Sequence, residues 1–266
     1  MKLSPSIAKI LIQKSPIHAW QAHHLGGGSK SDPTSAMIEG RLIDALILGG
    51  ESKIQVLPFK DYKTDAAKEA KAEALKARKV PVLEGKFAEA KATADILKVR
   101  IREFGYDLGA CEFQKRLEWT DSKGVECCGV LDALDTANGL IFDLKTCDDA
   151  TPYTLQRKIP SYGYDIQSAS YIEAVSTTIP ELQGRLKMIF LFCELEPPFA
   201  VLPVEFSGTM ATLGSRRWKR AKRTWAKCLE SKVWTGYSKE PVKIEALPWQ
   251  LSQEQEQGGD DNGYPF

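Results

Sequence analysis

The chain of 266 residues is 43% hydrophobic and 27% charged, enough apolar material for one large domain or two small ones. Its 36 basic residues stand against 35 acidic ones, a net charge of +1, so any surface for a polyanion has to be local. No apolar run reaches the length of a membrane span, and the opening Met1-Lys2-Leu3-Ser4-Pro5 lacks the apolar core of an export signal, so a cytoplasmic protein is expected.

The first 24 residues hold a short amphipathic helix that ends at Ser15-Pro16, followed by His18-Ala19-Trp20-Gln21-Ala22-His23-His24 and the loop Gly26-Gly27-Gly28-Ser29. Packing is preferred over metal ligation for the three histidines. Thr34 or Ser35 caps a helix through Ala36–Leu48, stopped by Gly49-Gly50. Asp44 lies inside its run Leu42-Ile43-Asp44-Ala45-Leu46-Ile47-Leu48, where a carboxylate must be neutral, paired or metal-bound. A strand over Lys53–Leu57, an exposed Ala/Lys/Glu-rich helix over 64–78, a break at Val80–Leu83 and an amphipathic helix over 86–104 follow. From 112 the pattern turns to strands: Phe113–Trp119, Val125–Asp135 and Leu140–Thr146, separated by Asp121-Ser122-Lys123-Gly124 and Asn138-Gly139. A helix over 162–176, the strands Leu186–Glu194 and Val201–Phe206, and a basic helix over 209–231 come next. The expected organisation is one domain over 1–252 with an N-terminal helical elaboration, then a disordered acidic tail over 253–266. Six scattered cysteines without a CxxC argue against a disulfide scaffold, a structural zinc site and an iron–sulfur cluster.

The informative segment is Cys128 to Thr146. A two-residue Asn138-Gly139 turn would pair Ala137 with Leu140 and so place Asp132 opposite Lys145, with Asp143 on the same face. Two acids and an amine on one face of an apolar hairpin read either as a solvated cross-strand salt bridge or as a site for a hard cation. In the second reading Asp132, Asp143 and the Leu144 backbone carbonyl are ligands, and Lys145 orients or deprotonates water and neutralises charge on a phosphate.

The ordered series Gly129-x-x-Asp132, Asp143-x-Lys145-Thr146 and Gln167-x-x-x-Tyr171 resembles the motifs of PD-(D/E)XK nucleases, most nearly the exonuclease VIII (RecE-like) branch of phages and prophages. Leu3-Ser4-Pro5-Ser6, Ser15–Ala19, Gly40–Leu48, Tyr162–Tyr171 and Tyr237 through Pro248-Trp249 resemble that branch too. The resemblance implies an α/β fold with a mixed central β-sheet flanked by helices. It also implies magnesium-dependent 5′-to-3′ digestion of linear duplex DNA, with manganese able to substitute, leaving 3′ overhangs for a strand-annealing partner in a bacterial host cell. A homo-oligomeric ring around DNA is a further implication, and it reconciles near-neutral charge with DNA binding. Gln167 and Tyr171 would orient lysine, water or phosphate, in preference to serving only as helix packing, whereas Tyr164 is read as packing. Asp44 stands where the family commonly has a histidine ligand, so it is read as facing the metal. Arg41, one turn away, reads equally as a phosphate grip or a surface arginine.

Arg216, Arg217, Lys219, Arg220, Lys222 and Arg223 form a basic face that either tracks DNA or is simply solvated, over a buried stripe of Trp218, Ala221, Trp225 and Cys228. Glu118 is a minor candidate for supporting the site. Asp260-Asp261-Asn262-Gly263-Tyr264-Pro265-Phe266 looks like the acidic tail of bacterial single-stranded-DNA-binding proteins, and is either a docking peptide or an inert end. The competing functions are an endonuclease or single-strand-specific nuclease of the same fold, and a DNA-end-binding protein without chemistry. The complete Asp132/Asp143/Lys145 set favours catalysis.

Overall fold

The computed structural model describes residues 1–28 and 33–257. The N-terminal part contributes α1 (Pro5–Gln13), α2 (Pro16–Ala22), α3 (Ser35–Ile47), β1 (Ile54–Leu57), α4 (Asp65–Lys76), β2 (Val80–Leu83) and α5 (Glu84–Glu103). The strands β3 (Glu112–Thr120), β4 (Glu126–Asp135) and β5 (Leu140–Cys147) follow, then α6 (Pro152–Tyr162) and α7 (Tyr164–Thr178). The chain continues through β6 (Lys187–Glu194), β7 (Val201–Glu205), α8 (Gly208–Ser231) and α9 (Pro248–Gln257).

Local chemistry sets several of these boundaries. Ser4 and Thr34 cap α1 and α3 by accepting the backbone N–H of Ile7 and Met37 at 3.4 and 3.2 Å. Pro5 and Pro16 sit in the first turns of α1 and α2, where a missing N–H costs nothing. Residues 80–83, read from sequence as a break, form a strand instead. Its β-branched Val80 and Val82 pair in parallel with Ile54 and Val56, and Pro81 is tolerated because a two-stranded sheet has no central strand. Helix α6 was not foreseen, since Pro160 near its end reads as a breaker. The expected irregular tail from 253 is helical as far as Gln257, and the remainder of that tail lies outside the described residues.

The main sheet has the order β3-β4-β5-β6-β7, antiparallel except for the parallel β5–β6 pair. One face packs on α1, α7 and α8 through Leu11, Trp119, Leu131, Ile141, Phe190, Trp218 and Trp225. The other packs on α3 and α5 through Ile43, Leu46, Leu97, Phe142, Leu144 and Leu191. Covered on both faces, β6 is apolar along nearly its whole length.

The β4–β5 register differs from the sequence expectation. Asp135 pairs with Leu140 and Ala133 with Phe142, so the connection is four residues long and Asp132 lies across from Asp143 rather than Lys145. The Asp135 carboxylate decides this. It accepts the Asn138 backbone N–H at 3.0 Å and the Asn138 side-chain amide at 2.7 Å, closing the turn one step earlier. Gly139, at φ +70°, then supplies the left-handed residue. The slip is two residues, so Ala133, Leu134 and Asp135, the registered β4 residues, keep their alternation against β5.

Candidate functional site

Sheet irregularity builds the site. Strands β3 and β4 pair from Glu112–Leu134 to Thr120–Glu126 but skip Gln114 opposite Asp132, and Gln114 has a left-handed φ of +50°. Residues two apart on a regular strand share a face, yet Leu131 belongs to one core and Ala133 to the other. Asp132 sits at this twist. Beyond Ala133–Phe142 its carboxylate replaces the backbone ladder, accepting the Leu144 N–H at 3.0 Å. An extended residue points its N–H and C=O to the same side, so the Leu144 carbonyl faces the gap between β4 and β5 as well.

Asp143, 2% exposed, projects from β5 beside this gap. One of its oxygens accepts from the Gln167 side-chain amide on α7 at 2.5 Å. The other faces the Lys145 ammonium as an ion pair, without a donor at hydrogen-bond geometry. Lys145 also lies 5.0 Å above the ring of Tyr164, which stacks on Tyr162 and Phe190. Burial raises the pKa of Asp132, with Asp143 adding to the effect, and burial raises that of Asp143 against the opposing pull of Lys145. Burial disfavours the Lys145 charge, but Asp143 and then Asp132 outweigh it and its pKa rises. Asp44, on α3, is pushed up to about 7 by burial, opposed by Lys145 and reinforced by Asp143.

These groups lie where two cavities meet. A cleft of about 800 Å³ is lined by Arg41, Asp44, Leu144, Lys145, Lys158 and Tyr164 among others. A second cavity of about 380 Å³ is lined by Arg41, Asp44, Lys53, Arg78, Lys79, Gln114 and Asp132. Arg41 and Asp44 line both. Among the described residues, no three His, Cys, Asp or Glu side chains are gathered as a metal cage; Asp143 and Asp44 are still near enough to Asp132 that their charges raise its pKa, after burial. Without a cation, Asp132 accepts the Leu144 N–H, and Asp143 is held by Lys145 and Gln167. The donor set nonetheless fits a hard divalent cation: two carboxylates disfavoured as charges, a carbonyl facing the same gap, and a buried Asp143 oxygen without a well-directed donor.

A family model described as a PDDEXK-like domain of unknown function (DUF3799) matches residues 5–244. The chain belongs to this family. The PDDEXK-like domain is also similar to the crystal structure of a putative exonuclease from Eubacterium rectale, with a TM-score of 0.62 and 14% identity over 94% of this chain and 92% of that one. A phage-related exonuclease from Haemophilus somnus aligns with a TM-score of 0.33 and 16% identity, over 72% of this chain and 95% of that one. No curated protein matches the sequence.

Other residues singled out by sequence fall elsewhere in the PDDEXK-like domain. The Tyr171 hydroxyl donates to the Val130 carbonyl at 2.8 Å, and its ring covers Gly129, where a Cβ would lie 2.9 Å from it. Tyr171 therefore anchors α7 to the strand that carries Asp132. Of the six clustered cations on α8, Arg217 donates to the fully buried Asp165 carboxylate at 3.0 Å, an internal ion pair in place of the expected free cation. Lys222 is likewise internal, bound to Asp121 and Glu173. Arg216, Lys219 and Arg220 are exposed, and none of them lines the two cavities at the site. Glu118 is taken by Lys2 and Arg116 at the surface. His18 bonds Ser15, and His23 accepts the Leu25 N–H and reaches the Lys2 carbonyl, so both histidines serve local structure. Sequence reasoning missed Lys53, Arg78, Lys79 and Lys158, whose signal was only that of scattered surface lysines and arginines.

Proposed function

We propose that this PDDEXK-like domain is a metal-dependent exodeoxyribonuclease, using magnesium, with manganese as an effective substitute. The observation that carries the reading is the meeting of Asp132, Asp143 and Lys145 at the gap between β4 and β5, beside an open cleft. Asp132, Asp143 and the Leu144 carbonyl would hold the cation, with Asp44 facing it from α3. When bound, the cation supplies Lewis acidity and a more acidic water. Gln167 fixes the Asp143 carboxylate, so that one oxygen stays directed at the gap. Lys145, held as an ammonium, neutralises charge that develops on the phosphate and orients the attacking water. Arg41, exposed at the junction of the two cavities, is placed to grip a neighbouring phosphate.

The finer reading follows the resemblance to the exonuclease VIII (RecE-like) branch: 5′-to-3′ digestion of linear duplex ends that leaves 3′ overhangs for recombination by strand annealing. In this reading the protein works as a ring in the cytoplasm of a bacterial host, and Asp260–Phe266 docks the annealing partner. The designation of the Eubacterium rectale protein as a putative exonuclease agrees with exonuclease activity.

The test is a linear duplex labelled separately at its 5′ and 3′ ends, incubated with magnesium. Wild type should release the 5′ label as mononucleotide while the 3′ label stays on a shortening strand. Asp143→Asn and Lys145→Met should each slow release at least about a hundredfold. Undiminished release by both variants would remove these residues from the mechanism, early loss of the 3′ label would reverse the polarity, and cutting of closed circular DNA would show an endonuclease.

A further inference from the structure

A third cavity, of about 420 Å³, lies on the far side of Gln167 from the main cleft. It is lined by Ser4, Ser6 and Lys9 of the α1 region, Arg116, Gly129, Tyr162 and Gln167 among others, and its lining contains no carboxylate. This sets it apart from the main cleft, whose lining mixes Arg41, Lys145 and Lys158 with Glu39, Asp44, Asp148, Glu194 and Glu196. Tyr162 lines both spaces, and Gln167, which lines this cavity, donates to Asp143 on the catalytic strand.

Lys9 is the distinctive group. It is half-buried and, among the described residues, has no acidic partner. Its ammonium lies 5.4 Å from the Tyr162 ring centroid, while Lys145 lies 5.0 Å from that of Tyr164, and the two rings stack at 5.6 Å. Two cations thus bracket one aromatic pair. Burial, and next the charge of Lys145, hold the Lys9 pKa down. A partly desolvated ammonium close to a second one is unfavourable unless an anion relieves it. The first turn of α1, whose dipole favours negative charge, faces the same space, and the Arg116 that also lines it is paired with Glu118.

We propose that Lys9 forms a subsite for a backbone phosphate of the strand being cut. The proposal rests on the nuclease reading for the identity of the ligand, a nucleic-acid phosphodiester. Lys9 is a binding residue here, and its effect is on how the strand is held.

The test uses the full chain, calcium in place of magnesium, and a fluorescent single-stranded oligonucleotide, with anisotropy read over a series of salt concentrations. Lys9→Met keeps the aliphatic stem that packs against Gly163, where a Cβ would lie 2.9 Å from the lysine Cγ, and removes only the charge. It should weaken binding about tenfold and flatten the slope of log K against log salt by about 0.7, the value for one lost single-strand contact. Lys9→Arg should restore both. An unchanged affinity and slope in Lys9→Met, with an unchanged melting temperature, would overturn the subsite. If wild type binds with the steeper slope yet cleaves nothing in magnesium, the subsite stands and the nuclease reading fails.

Discussion

Asp143 is a nearly inaccessible carboxylate in a strand of Ile141, Phe142 and Leu144, and what makes it tolerable is named: Lys145 on one oxygen, Gln167 on the other. The site is therefore held in a costly arrangement that a cation would relieve. Magnesium at about 100 times its dissociation constant should stabilise the fold by about 2.7 kcal/mol, several degrees in melting temperature. Calorimetry with and without the ion measures this, and Asp132→Ala should abolish the shift. A melting temperature that ignores magnesium in the wild type would count against Asp132 and Asp143 as ligands. That Asp143 and Lys145 share a face was legible in the sequence because strand periodicity is two. The register itself was not legible. It turns on the Asp135 side chain closing a turn with Asn138, a choice that competes with the Asn-Gly turn for the same residues.

At the scale of elements, α8 is fastened to its neighbours by contacts its own pattern conceals. Gly214 lies so close to α7 that a Cβ there would be 2.2 Å from the Asp165 carbonyl oxygen. Gly214→Ala should cost about 3 kcal/mol in denaturant unfolding, as overpacking against rigid backbone. Lys222 ties α8 to the β3–β4 turn through Asp121 and to α7 through Glu173, and Trp119 also donates to Glu173. Lys222→Met leaves two carboxylates without their cation and should cost about 3 kcal/mol near neutral pH. Burial acts to raise the Asp121 pKa, but Lys222 and the backbone N–H groups of Val125 and Lys123 outweigh it, so the folded value lies below the ordinary 3.8. A depressed folded pKa means stability that is complete above the unfolded value and lost as the pH falls through the folded one. The difference between wild type and Lys222→Met should accordingly hold above about pH 4 and shrink below it. A difference that grows with acidity would refute the assignment.

For the molecule as a whole, no helix among the described residues is long and apolar enough to cross a membrane. With a net charge of +1, the cations that matter are those the fold gathers: Arg41, Lys53, Arg78 and Lys79 around one cavity, Lys9 beside another. A ring would concentrate such patches along a shared channel. Sedimentation at micromolar concentration should then give a mass several times the 29.5 kDa of the chain. A monomer at every concentration would remove the ring and leave the active site untouched.

The sequence by itself determined the element types along most of the chain, the face shared by Asp143 and Lys145 on one strand, and the presence of a carboxylate in the apolar run of α3, because periodicity and the cost of burying charge are local properties. Only the tertiary structure decided which charged residues are available for a ligand. Arg217 and Lys222 looked like members of one basic face, but their partners Asp165 and Glu173 lie 52 and 49 residues away in the chain. Whether a cation is spent on an internal acid or left facing a cavity depends on which distant segments are packed together, and no local pattern contains that information.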